Sequence, residues 1–303
     1  NYTDGNILSS ILSKGNSQKL CPMSSFSAVY EHEVNVNVNL QADIALKRYF
    51  GNPFVPMVTE DGSNAGSVAS NELHFQARFS RDETVNRGNF IKTYVHTAVP
   101  VVTIDLTGGI SGLRQGDVAY FKPELTVDWK PVIPVVGTSK IHFNAGTIVG
   151  RVPYPFLHLH EGNGTFILDK SAFSCMEFFE FASDTWVSLL WHHNFNGLLL
   201  GYIPLVRKLN LREEFSFKGS WGMLSDRNNV QGPGVSGEGV PGQDGRILFP
   251  EGMKTMGKVP YLEIGVGVSN ILRLFRVDCT WRLTHLEEAR RKFCVTVGLE
   301  LRF

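Results

Sequence analysis

The sequence predicts an all-β fold: a transmembrane antiparallel β-barrel of about 12 strands or more, up to about 16 if upstream strands are missing, with one loop folded inward. Three observations carry this. Residues Phe293, Val295, Val297, Leu299, Leu301 and Phe303 take every second position of the C-terminal stretch, against Cys294, Thr296, Gly298, Glu300 and Arg302. Successive strand side chains point to opposite faces, so this is one apolar face and one polar face. The same two-faced pattern recurs along the chain, and no convincing helical segment is present to cover it. No apolar run approaches the roughly 18 residues of a spanning helix, so a membrane reading requires a barrel. The terminal strand is expected to close the wall by pairing with the first.

In chain order, residues 1–22 read as a loose lead-in and residues 23–303 as the barrel. The lead-in is polar, and no secretory signal opens it. From Val34 to Lys47 apolar and polar positions alternate almost without fault, with Asn35, Asn37, Asn39, Gln41 and Asp43 on one face. A soluble sheet can alternate too, but so many amides on one face suit a wet lumen, and the stretch is long for a soluble strand. Leu73–Ser80, Val102–Thr107, Phe121–Trp129, Ile141–Gly146, Leu262–Ser269 and Phe275–Thr284 repeat the pattern. Long and short connections are expected to alternate between the two ends. Residues 222–260, rich in Gly and Pro, read as a mobile external loop, Ser269-Asn270 as a tight turn, and residues 285–292 as a charged loop. This parity places Phe303 at the periplasmic rim, and residues 51–70, although long, on the turn side.

Formal net charge is zero, so no basic surface points to nucleic acid. The 21 Phe and 5 Trp residues suit interfacial girdles. The cysteines, Cys21, Cys175, Cys279 and Cys294, lack metal-ligand spacing. Alternation puts Cys279 outside and Cys294 inside, which argues against a bridge between them.

Glu263, Arg276, Asp278, Arg282, Glu300 and Arg302 fall on the inner face of the last three strands. Paired acids there suit general acid/base work, but an ion-pair ladder that fixes register is the simpler expectation. Residues 152–173 are too apolar for a free loop, so Tyr154, Phe156, His158, His160 and Phe166 are expected in a plug or lid tucked into the lumen; the alternative is an external loop packed on itself. His158 and His160 share a face, as metal ligands would, yet no third ligand has motif spacing, so local hydrogen bonding is expected and no metal. Residues 198–209, with Tyr202, Arg207 and Lys208, read as an interfacial turn anchored at headgroups. No nucleophile elbow, phosphate loop, paired CxxC or HExxH occurs, so no catalytic residue and no cofactor is assigned.

The runs IHFNAGTIVGRVPYPFLHLHEGN, MEFFEFASDTWVSL, HHNFNGLLLGYIPLVRKLNLRE and PYLEIGVGVSNILRLFRVDCTWRLTH, with AVPVVTIDLTGGI upstream, resemble a family of Bacteroidota outer-membrane barrels of unknown function, often called carboxypeptidase-regulatory-like-domain-containing proteins. That family usually carries a small N-terminal β-sandwich domain and further barrel sequence before this part. From Lys140 onward, the order of strand, long segment, further strands and terminal aromatic is also similar to the BamA/TamA-like assembly superfamily. There a lumen loop carries an Arg-Gly-aromatic motif; here Gly162-Asn163-Gly164-Thr165-Phe166 stands in its place, without the Arg. The resemblance implies a non-enzymatic outer-membrane component of a transport or assembly complex, in contact with outer-membrane lipid, lipopolysaccharide and other outer-membrane or periplasmic proteins. The alternatives are an insertase or translocase with a lateral seam, and an outer-membrane barrel enzyme.

Overall fold

The computed structural model describes residues 21–59, 62–81, 83–87, 92–95, 99–113, 118–230, 247–287 and 289–299. Its strands are β1 (Met23–Asn35), β2 (Val38–Phe50), β3 (Ser67–Phe79), β4 (Thr84–Arg87), β5 (Lys92–Val95), β6 (Val101–Gly109), β7 (Tyr120–Trp129), β8 (Val132–Ile133) and β9 (Gly137–Thr147). They continue with β10 (Val149–Gly150), β11 (His158–Leu159), β12 (Ala182–Ser183), β13 (Thr185–Asn194), β14 (Arg212–Met223), β15 (Tyr261–Ile271), β16 (Phe275–Arg282) and β17 (Phe293–Leu299). Eleven long strands form an antiparallel path, β1-β2-β3-β6-β7-β9-β13-β14-β15-β16-β17, and the short β8 and β10 bring the sheet to 13 strands. The two minor pairs, β4-β5 and β11-β12, lie off this sheet.

The faces of this sheet are reversed relative to a water-soluble one. Ile44, Leu73, Phe75, Ile104, Leu125 and Val266 stand on the outer face, exposed. On the opposite face Glu214, Lys218, Glu263, Arg276, Asp278 and Arg282 are buried. Period-2 alternation sorts them, because each strand keeps one parity outward. Aromatic side chains cluster toward both ends of the outer face: Phe121, Trp221, Trp281 and Phe293 at one, Trp129, Trp191, Phe215 and Phe275 at the other. Trp281 packs on Phe293 with ring centres 5.2 Å apart, and Trp191 on Phe215 at 5.4 Å.

The apolar core is built by connections. Residues 51–66, 148–184 and 247–256 converge at one end, where Val55, Met57, Tyr154, Phe156, Trp186, Phe249 and Met253 pack together. Thr59 bridges to Ile247, Phe181 bridges to Lys254, and the Tyr154 hydroxyl donates to the Pro56 carbonyl at 3.1 Å. Phe156 meets Tyr49 edge-on at 5.2 Å.

Several expectations change. The stretch from Val34 to Lys47 is two strands, reversed at Val36-Asn37, where the Asn35 side chain accepts the Asn37 N–H at 2.9 Å. A register shift between Glu33 and Asn35 adds a residue beside the two-residue turn, so alternation runs through the reversal unbroken. Residues 51–66 lie at the same end as residues 148–184, since an even number of path strands separates the two; β3 and β6, and β13 and β14, are joined by long connections at the opposite end, so long and short connections do not sort by end as expected. The turn after β15 is Leu272–Leu274, and Asn270 belongs to the strand. The flanks of the 222–260 loop are packed, with Val230, Phe249, Met253 and Met256 buried, while residues 231–246 lie outside the described residues. Residues 1–20 and 300–303 lie outside them too, so the expected lead-in and Glu300, Leu301, Arg302 and Phe303 have no described position.

Closure also differs. Among the described residues β1 does not pair with β17. Every neighbour on the eleven-strand path is antiparallel, so the first and last strands run in the same direction and cannot join antiparallel. Phe156→Ala should cost about 3–5 kcal/mol of stability and speed proteolysis at residues 51–66 and 148–184, read by limited digestion; an unchanged digest would show that the connections do not form one core.

Candidate functional site: the inner wall and its insert

The most elaborate chemistry lies where residues 148–184 cross the inner face of β13–β17. Three charged wall residues fasten the insert. The Glu263 carboxylate accepts the Ser174 N–H at 2.9 Å, the Cys175 N–H at 2.7 Å and the Tyr261 hydroxyl at 2.5 Å. Lys218, 1% exposed, donates to the carbonyls of Asp169 and Ala172 and to the Ser174 hydroxyl. Arg282 pairs with Glu180 at 2.8 Å and lies 4.7 Å from the centre of the Tyr261 ring. Charge-assisted bonds to backbone are about twice as strong as neutral ones, which suits a segment with little regular structure of its own.

Arg276 is held otherwise. Its guanidinium grips Asp278 through two nitrogens, at 2.6 and 2.7 Å, and reaches Glu214 at 3.0 Å. Asp278 is on the same strand, but Glu214 is on β14, beyond β15. Gly265 and Gly267 on the inner face of β15 leave room for this crossing. A Cβ on Gly267 would come within 2.5 Å of Asp278 Oδ1, and one on Gly265 would strike the Ser216 hydroxyl. Asn194 and Ser269 also donate to Glu214.

The expected ladder therefore has different rungs. Glu263 and Arg282 are register partners on β15 and β16, yet each is directed to the insert. Glu214, Lys218 and Glu180 are the members that sequence reading missed. The alternation of Glu214, Ser216, Lys218 and Ser220 was a usable signal for the first two; nothing local marks Glu180. A second network lines β2–β9, where His74 bridges Asp43 at 2.7 Å and Asp105 at 3.0 Å, and Lys47 pairs with Glu72 at 2.6 Å.

Of the predicted plug residues, Tyr154 and Phe156 are in the core, and His158 stacks on Trp186 with ring centres 4.0 Å apart. His160 bonds Ser183 through Nε2 at 2.8 Å and Ser220 through Nδ1 at 2.9 Å. Burial pushes its imidazole down to about 3, so it is a neutral linker. With hydroxyls on both nitrogens it has no carboxylate to orient it as a base, and no nitrogen left for a metal. No group of three candidate metal ligands occurs among the described residues.

Phe166 is not in the core. Residues 166–168 reach the outer edge of β17 instead. Val297 donates its N–H to the Phe166 carbonyl and accepts the Leu168 N–H, both at 2.8 Å, which makes a parallel bridge between Ile167 and Val297. Gly298 gives Leu168 its place, since a Cβ there would lie 3.2 Å from the Leu168 Cβ. Asn163 secures the approach by accepting the Thr165 N–H at 2.8 Å, and Arg291 donates to the Asn163 carbonyl at 2.9 Å.

Asp278→Ala removes one of two carboxylates from a buried guanidinium. The expected cost is about 3–5 kcal/mol, seen as a lower unfolding temperature; an unchanged temperature would show that Glu214 alone satisfies Arg276.

The chain is similar in structure to BamA from Haemophilus ducreyi lacking POTRA domains 1–3, with a TM-score of 0.51 and 11% identity over 91% of this chain and 53% of that one. It thus spans about half the length of that BamA chain, and the likeness is one of fold. Pseudomonas aeruginosa OccK11 (OpdR) is more distant, with a TM-score of 0.33 and 8% identity over 91% of this chain and 68% of that one. No curated protein matches. Residues 51–221, more than half of the sequence, match the C-terminal domain model of the family of unknown function DUF5686, and the chain belongs to that family.

Proposed function

We propose that this chain is the wall of an outer-membrane β-barrel of a Bacteroidota-type bacterium, filled by its own insert, and that it serves without enzymatic activity as a component of an outer-membrane transport or assembly complex. The observation that carries the membrane reading is the reversal of faces. An outer surface of exposed Ile, Leu, Val and Phe over a buried charged interior is unfavourable in water and favourable in lipid. The aromatic clusters support it: Phe121 and Trp129 at the two ends of β7 are separated by roughly 27 Å of strand at about 3.4 Å per residue, close to the ~25 Å apolar band of such barrels. In this orientation the end that carries the insert faces outward, and the end that carries residues 130–136, 195–211 and 272–274 faces the periplasm. A role in transport or assembly, beside lipopolysaccharide and partner proteins, rests on the resemblance to the BamA/TamA-like superfamily.

Fractionation of native cells tests this. The protein should appear in the outer membrane with heat-modifiable migration, and purification from that membrane should bring partner proteins with it; recovery in a soluble fraction would overturn the reading. Val266→Arg, mid-strand on the outer face, should cost about 2–4 kcal/mol in a bilayer, measured by denaturant titration in vesicles.

A second reading, a lateral seam of insertase or translocase type, is favoured by one observation. Among the described residues, the edge of β17 is held by three residues of the insert and not by β1. The insert segment makes a single parallel bridge to β17, whereas the path neighbours in this sheet are long antiparallel pairs, so this contact is the least extensive on the wall. A disulfide between Ile167→Cys and Val297→Cys should form in the membrane-embedded protein. It should abolish the function that gene deletion reveals and restore it on reduction; a locked protein that works normally would reject the seam.

A further inference from the structure

At the end opposite the insert, three connections lie side by side, because the strands that they join, β7-β9, β13-β14 and β15-β16, are consecutive along the sheet. Residues 130–136 read KPVIPVV, residues 195–211 FNGLLLGYIPLVRKLNL, and residues 272–274 LRL. Together they hold four basic residues, Lys130, Arg207, Lys208 and Arg273, and no Asp or Glu. All four basic side chains are exposed, and none has a side-chain partner among the described residues. Large apolar side chains project between them: Val135 is 85% exposed, Tyr202 and Leu205 81% and Leu272 79%.

The longest of these connections is a built surface. The Leu200 N–H bonds the Glu213 carboxylate at the foot of β14, a single helical turn spans Pro204–Arg207, and the Asn270 side chain donates to the Asn210 carbonyl at 2.7 Å, tying this connection to the end of β15. Just inside the arc stand the outer-face aromatics Trp129, Trp191, Phe215 and Phe275. Aromatic side chains of this kind settle at the depth of lipid headgroups. The four cations, just beyond these aromatics, therefore stand at the level of the phosphates, where long basic side chains stretch toward charge.

We propose that this arc binds the anionic headgroups of a phospholipid leaflet, with Lys130, Arg207, Lys208 and Arg273 as the phosphate contacts. The inference rests on the lipid-facing reading of the wall and adds the chemistry of the lipid and the residues that select it. The single sign of charge is the first support, since a leaflet rich in anionic phospholipid is complementary to it along the whole arc. The second is shape. The highly exposed apolar groups belong to three separate connections, which suits a fluid surface better than a folded partner.

The test uses the full protein, purified from native membranes and incubated in mixed micelles with phosphatidylglycerol or with phosphatidylethanolamine; retained lipid is counted by native mass spectrometry. The expected result is preferential retention of phosphatidylglycerol. Each removed charge should weaken it roughly fivefold, as expected for a basic residue near an anionic surface. The quadruple variant Lys130→Gln, Arg207→Gln, Lys208→Gln and Arg273→Gln should lose the preference while keeping heat-modifiable migration. The double variant Arg207→Gln with Lys208→Gln gives the same reading if the quadruple variant fails to fold. Equal retention of the two lipids, or a preference that survives either variant, overturns the proposal. So does an acidic protein that occupies the arc in the absence of any lipid preference. A chain recovered outside membranes fells the barrel reading and this inference together; a membrane-inserted chain without lipid preference fells this inference alone.

Discussion

Once residues 148–184 lie against the inner wall, the buried charges on β14, β15 and β16 are separated from water and must find their partners within the protein. That constraint governs the rest of the structure. Burying an unpaired ion costs far more than the marginal stability of a domain permits. Glu263 and Lys218 resolve it with the backbone of the insert, Arg282 with Glu180, and Arg276 with Asp278 and Glu214. Glu263, Lys218 and Arg282 thus take their partners from the insert, and the insert, with little regular structure of its own, is fastened by them.

The two ends of the sheet follow different rules. At the insert end, connections form a shared apolar core, so loops do the work that helices do in a layered fold. At the other end residues 130–136, 195–211 and 272–274 leave their apolar groups outside, accompanied by basic residues and no acids. The outer edge of β17 is a third environment. Backbone groups exposed to hydrocarbon cost several kcal/mol each when unpaired, and residues 166–168 relieve that cost at Val297 alone among the described residues of the strand. Gly265, Gly267 and Gly298 serve these arrangements, each leaving room over the sheet for a side chain from elsewhere.

What the sequence by itself determined is the division into faces. Two-residue periodicity is local, so the inward parity of Glu263, Arg276, Asp278 and Arg282 and the outward parity of Phe293, Val295 and Val297 are legible without knowing which strands are neighbours. The apolar, glycine-punctuated stretch from Val152 to Phe173 was likewise marked as inward-folded by its composition. The hairpin at Val36-Asn37 escaped because a register shift beside the turn keeps the alternation in phase across it.

Tertiary structure alone decided what each inner charge binds and what lies on the edge of β17. Those outcomes depend on register between strands and on segments far apart in sequence: Glu263 meets Ser174 across 89 residues, and Arg276 reaches Glu214 only because two intervening positions on β15 lack side chains. Direction is a property of the assembled path as well. An odd count of antiparallel strands makes β1 and β17 run the same way, and no stretch of sequence short of the whole carries that information.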